Sequence, residues 1–424
     1  MKKMRRYTTL IAIGLLAVAC STDGDDIVVE NGSYEPSTEA ILFDAQTTGA
    51  FTTRAVTGEI DNDANLQSLT FANHYPSANT YLRGFGVFAA YTGALTYENT
   101  TVSPDFMYNQ QVTYTSGAWN YNPVKYWPNE TSDYVSFFAY APYEPNPLDD
   151  GRCIIDASDN SDLGDPWVNY RLSRDPWGTG TTYEPQVDLM YGFNNTTSTD
   201  PKPWIDQTKN KNGTIQYGTD AKLPFTFNHA LGCFAHEVKL QLSDELKTLL
   251  TGYSTITINS FNITYNNLTS KARLVLNPNI SGGKAYANWK EIVSGELTAT
   301  RTTGNISTYP TVGETALSTY DFLTSTSSLT ISTDRGLFYI PMIIAGQPAP
   351  TATVTINYTI TVTSGGATFT GDATATIDLS TYHANTYEGK RTALALTLGK
   401  DLDLLHQVYL LGGTATEPSY VRKH

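Results

Sequence analysis

An all-β fold of two β-sandwich domains in tandem is predicted by three features of this sequence. Polar and apolar residues alternate strictly over long stretches, and candidate strands recur at a spacing of about 8–12 residues with turn residues between them. The 424 residues include 28 Tyr and 12% aromatics but only 16% charged side chains. Thr, Ser, Asn and Gly fill much of the remainder, a composition that favours strands and turns over helices.

The N-terminus reads as an address. Lys2, Lys3, Arg5 and Arg6 precede the apolar run Leu10 to Ala19. That run is too short for a stable membrane span, which needs about 20 apolar residues, and it fits the apolar core of a signal peptide spanning residues 1–19. Leu16-Ala17-Val18-Ala19-Cys20 resembles a bacterial lipobox, which makes Cys20 the expected lipidation site. The acidic stretch Ser21 to Asp26 then reads as a solvated tether. Loss of residues 1–19 removes four bases and no acids, leaving 23 Lys+Arg against 41 Asp+Glu and a net charge of −18. A secreted chain this acidic has no electrostatic footprint for nucleic acid. With Cys20 lipidated, Cys153 and Cys233 remain. The envelope permits a disulfide between them, and two separate buried thiols fit equally well.

In the first half, Phe85, Val87, Ala89 and Tyr91 alternate, and Val135 to Tyr140 is an aromatic strand ended by Pro142. The polar stretch from Asn194 to Ala221 marks a junction, which divides the chain into sandwiches over 55–222 and 223–424. The second half is more regular. Thr353 to Thr363 is apolar at every even position and polar at every odd one. Phe234, Val238, Leu240 and Leu242 keep the same period, as do Ala373 to Leu379 and Leu394 to Leu398. Between Thr255 and Tyr265 the apolar parity flips, which a β-bulge explains. Only Ser243 to Leu250 reads as a helix.

Candidate chemistry is sparse. His229 and Cys233 would share a strand face while His236 points the other way, so the three do not form a metal site on a straight strand. The loops Asp61 to Asn65 and Asp156 to Asp165 are rich in oxygen ligands of the kind calcium takes, yet neither has the full EF-hand pattern. No other cofactor is expected. Nucleophile elbows, zinc-protease helices and phosphate-binding glycine loops are missing from the sequence, so no catalytic residues are assigned and no enzyme is expected. Trp119 to Pro128 offers aromatic rings that either stack on a glycan or anchor a core.

Several segments, taken in order, resemble the fimbrillin family, the Mfa-like and FimA-like type V pilins of Gram-negative anaerobes. They are Ala40 to Ala45, Phe51 to Val56 around Arg54, Tyr126-Trp127-Pro128, Val135 to Tyr143, Asp188 to Gly192, Leu223 to Leu231, and Tyr387-Glu388-Gly389-Lys390. The resemblance implies transthyretin-like, Greek-key sandwiches and a subunit that travels to the outer membrane on a lipid anchor. It also implies that an Arg-specific protease cuts after Arg54, making Ala55 the mature N-terminus. Cleavage releases a strand carrying Ile41, Phe43 and Ala45, and a strand from another subunit fills the groove left behind. Leu402, Leu404, Val408 and Leu410 share a parity and mark the expected donor strand, although the Leu404-Leu405 and Leu410-Leu411 pairs break clean alternation. Residues 20–54 hold seven acids and one base, so their loss would take the net charge to −12. Expected partners are other fimbrial subunits, the protease, the outer membrane and a host protein or glycan receptor. The competing expectations are a surface glycan-binding lipoprotein using Trp119 or Trp127, a non-polymerising anchor or tip subunit, and a β-sandwich hydrolase with no nameable catalytic residues.

Overall fold

The structure, a computed structural model, describes residues 28–29, 32–48, 63–68, 84–98, 101–144, 155–157, 163–171, 187–194, 202–209, 222–268, 271–290, 304–306, 317, 319–332, 339–340, 351–379 and 388–411. These residues are overwhelmingly β-strand, and the all-β expectation holds.

The clearest alternating segment forms the strand Thr351–Val362, with Ala352, Val354, Ile356 and Tyr358 buried. It lies between Ser254–Leu268 and Thr368–Asp378, antiparallel to both. The parity flip is a bulge: register slips between Ile258 and Ser260, leaving Asn259 as the extra residue. The Asn259 amide donates to Asn357 Oδ1 at 2.7 Å and Thr359 Oγ1 at 2.9 Å, which holds the bulge in place. Beyond it, Phe261 and Ile263 turn into the core that Ile256 and Ile258 occupy before it. A second sheet runs in the order Leu329–Ser332, Gly232–Leu242, Arg391–Leu398, Leu404–Leu411. Its Val238, Leu240, Leu242, Leu394, Leu396 and Leu398 join the same apolar cluster as the first sheet's inner row.

The expected helix is Asp244–Leu250. Ser243 caps it by accepting from the Leu246 amide at 3.2 Å, and Leu246 and Leu250 are buried. Ser243→Ala should cost about 1 kcal/mol, the ordinary value of a lost N-cap. Chemical denaturation checks this, and an unchanged midpoint would count against the cap.

The first half centres on one sheet in the order Leu42–Thr47, Lys222–His229, Met190–Phe193, Tyr134–Ala141, Phe85–Gly93, Met107–Thr115, Ala118–Asn120. Its two ends approach each other, so the sheet curls towards closure. Both faces are covered. Phe85, Val87, Ala89, Val135, Phe137 and Ala139 pack inside the curl, whereas Phe88, Phe138 and Tyr140 pack against the second half. Strands buried on both faces have no polar row, which is why Val135 to Tyr140 reads as a continuous apolar run.

The expected boundary at 222/223 needs correction. Lys222–His229 pairs with Met190–Phe193 and Leu42–Thr47, so the chain crosses to the second half between His229 and Gly232. Strand Trp167–Arg171, expected inside the first sandwich, pairs with Lys271–Ser281 of the second half. Part of the polar stretch also returns to the first sheet, where Trp204–Gln207 pairs with Tyr134–Ala141 and Trp204 is fully buried. Composition marks polar surface, but it does not say which sheet a strand joins.

Candidate functional site

The segment around Ile41, Phe43 and Ala45 runs along an opening in the curled sheet. Strand Pro36–Ala40 pairs with Tyr126–Pro128, and strand Leu42–Thr47 pairs in parallel with Lys222–His229. Between the two strands, the Ile41 amide donates to the Lys125 carbonyl at 2.9 Å, and the Tyr121 hydroxyl donates to the Ile41 carbonyl at 2.8 Å. Side chains follow strand parity: Ile41, Phe43 and Ala45 are buried, while Leu42, Asp44 and Gln46 are exposed.

Phe43 sits in an aromatic pocket. Its ring centroid lies 5.4 Å from Tyr121, 5.8 Å from Phe137, 5.9 Å from Phe225 and 6.4 Å from Phe85. Ala45 stands opposite Phe225 in the parallel register. Helix Asp63–Ser68 closes that end of the strand: the Asp63 carboxylate accepts from the Thr47 amide at 2.6 Å and hydroxyl at 3.0 Å, and Leu66 is buried in the same cluster. A segment at the sheet's edge thus supplies part of the first-half core. Cys20, Arg54 and Ala55 lie outside the described residues.

The expected donor segment is engaged in its own sheet. Leu404–Leu411 is an edge strand, antiparallel to Arg391–Leu398, with Leu404 opposite Leu398 and Val408 opposite Leu394. Leu404 is buried and Val408 half-buried against the core. The structure departs from the expectation at Leu402, which lies in the preceding turn with φ of +61°, its amide bonded to the Gly399 carbonyl at 3.0 Å. Leu410 belongs to the strand, although its side chain lies outside the described residues.

No protein-family model matches the chain. It is 32% identical over 176 residues to the fimbrium subunit Fim1C of Phocaeicola vulgatus. That match covers 40% of this chain and 41% of the relative, so it spans about two fifths of the relative's length. A fimbrial protein from Bacteroides vulgatus superposes with a TM-score of 0.52 at 20% identity, covering 88% of this chain and 99% of that one. Over those 176 residues the chain is similar in sequence to a fimbrium subunit, and its fold is similar to that of a fimbrial protein. The fimbrial anchor protein Mfa2 of Porphyromonas gingivalis aligns over 88% of this chain and 98% of its own, at 10% identity and a TM-score of 0.33, too distant to carry an argument.

The aromatic segment Trp119 to Pro128 does not place its tryptophans on a surface platform. Trp119 is 6% exposed and Trp127 4%, both within the first-half core; Trp119 packs edge-on against Phe85 at 5.0 Å and Trp127 against Phe137 at 5.8 Å. Rings in those positions cannot stack on a glycan, which corrects that expectation.

Of the oxygen-rich loops, Asp63 is committed to Thr47, and Asp165 accepts from the Tyr97 hydroxyl at 3.0 Å and the Asn277 amide at 3.1 Å. Asp61, Asn62 and residues 158–162 lie outside the described residues. Among the described residues no three His, Cys, Asp or Glu side chains gather as a metal site. His229 ends one strand and Cys233 lies in the next, so the pair does not share a strand face. Cys153 lies outside the described residues, as does the side chain of Cys233.

Three of the segments that carried the resemblance instead meet in a polar node where the chain crosses between halves. His229 Nδ1 lies 2.8 Å from Asp188 Oδ2, and both residues are buried. Tyr191 donates to Glu388 Oε1 at 2.7 Å, while Glu388 Oε2 accepts from the Ala287 amide at 2.8 Å. The Gly389 amide donates to the Leu231 carbonyl, and a Cβ on Gly389 would lie 3.6 Å from that of His229. Burial raises the Glu388 carboxyl from 4.5 to about 7, partly offset by the bonds from Tyr191 and Ala287 and by the charge of His229. Sequence reading did not find this node. Its available signal is ionisable residues bordering apolar runs: Asp188 before Leu189-Met190-Tyr191, and His229 after Phe225-Thr226-Phe227.

Proposed function

We propose that this chain is a non-enzymatic structural subunit of a cell-surface fimbrium. It travels to the outer membrane as a lipoprotein anchored through Cys20, and an Arg-specific protease then cuts between Arg54 and Ala55. The segment carrying Ile41, Phe43 and Ala45 leaves, and a strand from another subunit replaces it, supporting adhesion through assembly into a fibre. The observation that carries this reading is the position of the Leu42–Thr47 strand. It fills a core with alternate side chains, yet among the described residues its backbone pairs with only one strand of the sheet, at the edge. Such a strand can be exchanged for another of the same pattern without dismantling the sheet. Similarity to a fimbrium subunit and to the fold of a fimbrial protein supports the same reading. In its own turn the chain would donate its C-terminal strand, Leu404–Leu411, into the next groove.

N-terminal sequencing of protein recovered from cell surfaces tests the proposal. The expected start is Ala55, and Arg54→Ala should block assembly while leaving export intact. A lipidated Cys20 on every assembled molecule would sink the cleavage step.

A further inference from the structure

We infer that the groove under the leader strand selects a strand from a different kind of subunit and refuses this chain's own C-terminal strand. The inference rests on the exchange reading above and adds the identity of the incoming partner.

The groove has three side-chain sites with distinct demands. The Ile41 site takes an aliphatic residue, with the backbone fixed on both sides by Lys125 and Tyr121. The Phe43 site is walled by Tyr121, Phe137, Phe225 and Phe85, with ring centroids 5.4–6.4 Å away in the edge-on and tilted arrangements that aromatic rings favour. The Ala45 site is buried beside Phe225, at the end that helix Asp63–Ser68 closes through Asp63 and Thr47. A replacement strand must therefore present an aliphatic, an aromatic and a small residue at alternate positions. A smaller middle residue leaves a void, and a larger last one overpacks a site sized for a methyl group.

The chain's own strand offers no such triplet. On the parity of Leu404 and Val408 it carries Leu404, His406, Val408 and Leu410, paired opposite Leu398, Leu396, Leu394 and Thr392. Whichever three consecutive members enter the groove, in either direction, the middle site receives His or Val and the small site receives Leu, His or Val. His in the middle site places a polar ring among four aromatic walls, and burying a polar group without a partner is unfavourable. The other parity, Leu405, Gln407, Tyr409 and Leu411, can bring Tyr409 to the aromatic site. Gln407 then falls in one flanking apolar site, and Leu411 in the other. On this ground the chain is one component of a mixed fibre, not a subunit that repeats on itself.

The test uses the full chain cut at Arg54, with the leader displaced by synthetic peptides and followed by fluorescence-monitored exchange and size-exclusion chromatography. A peptide covering Glu35 to Thr48 should bind at least tenfold more tightly than one covering Asp401 to Leu411. The cut protein alone should form no ladders. In the C-terminal peptide, H406F with V408A creates the order Leu, Phe, Ala at alternate positions, and this change should restore binding to within a few fold of the leader peptide. Ladders from the cut wild-type chain, or equal binding of the unmodified C-terminal peptide, would overturn the selectivity while leaving exchange itself intact. So would a failure of the doubly substituted peptide when the leader peptide binds. If not even the leader peptide enters, the exchange reading fails, and the inference falls with it.

Discussion

Phe43→Ala is expected to lower the stability of the first half by about 3–5 kcal/mol, the usual range for truncating a buried Phe to Ala. The side chain is 1% exposed and touches four other aromatic rings. Two terms add: transfer of the ring out of an apolar site, and a cavity whose walls are held by other strands. Tyr121 is anchored through its hydroxyl to Ile41 and Lys125, and Phe137 and Phe225 sit on paired strands, so collapse of the cavity is limited. Leu42→Ala is the matched control. Leu42 lies one position earlier on the opposite face, 39% exposed, and its truncation should fall within about 0.5 kcal/mol of wild type, as surface substitutions usually do. Urea unfolding followed by tryptophan fluorescence reads both, since Trp119 and Trp127 share the affected core. A loss below about 1 kcal/mol for Phe43→Ala would show that the strand contributes little to the core, and would remove the main support for the proposed exchange.

How much of this was legible in the sequence depended on how many faces each element buries. Thr351–Val362 buries one row and leaves Thr residues on the other, so strand, facing and even the bulge at Asn259 could be read from parity. Ser243–Leu250 was legible because a cap residue and two buried Leu residues lie close together in the chain. Tyr134–Ala141 buries both rows and loses its alternation, which hides its role as the strand separating two cores. The strand proposed to be removable was half legible: Ile41, Phe43 and Ala45 could be grouped by parity, but the rings around Phe43 lie 42 to 182 positions downstream of it, and no local pattern contains them. Trp119 and Trp127 were ambiguous for the same reason, because a ring that stacks on a ligand and one that fills a core look alike until their neighbours are known. The meeting of Asp188, Tyr191, His229 and Glu388 is likewise a product of topology, since it depends on the chain crossing at His229 to Gly232 and returning at Glu388.

That returning carboxylate gives the second large effect, a dependence of stability on pH that should vanish in Glu388→Gln. The groups around Glu388 are the Tyr191 hydroxyl, the Ala287 amide and the His229 ring; Asp188 lies behind His229, Asn228 donates to Tyr191, and Lys390 and Arg391 follow in the chain. Burial favours the neutral carboxyl, so its folded value near 7 lies above the ordinary 4.5. A group raised on folding gives stability that is fully present below the unfolded value and is lost as pH rises through the folded one. Wild-type protein should therefore lose stability between about pH 4.5 and 7 on this account, by up to roughly 3 kcal/mol, since one pKa unit corresponds to about 1.4 kcal/mol. Gln keeps the size and an acceptor for the Ala287 amide but cannot ionise. The variant should show a flatter profile and exceed wild type above pH 7, with the two converging near pH 4.5. Parallel profiles across that window would mean that Glu388 is solvated well enough to stay charged in the folded protein. A profile that diverges as expected identifies Glu388 as a group whose protonation stabilises the folded chain.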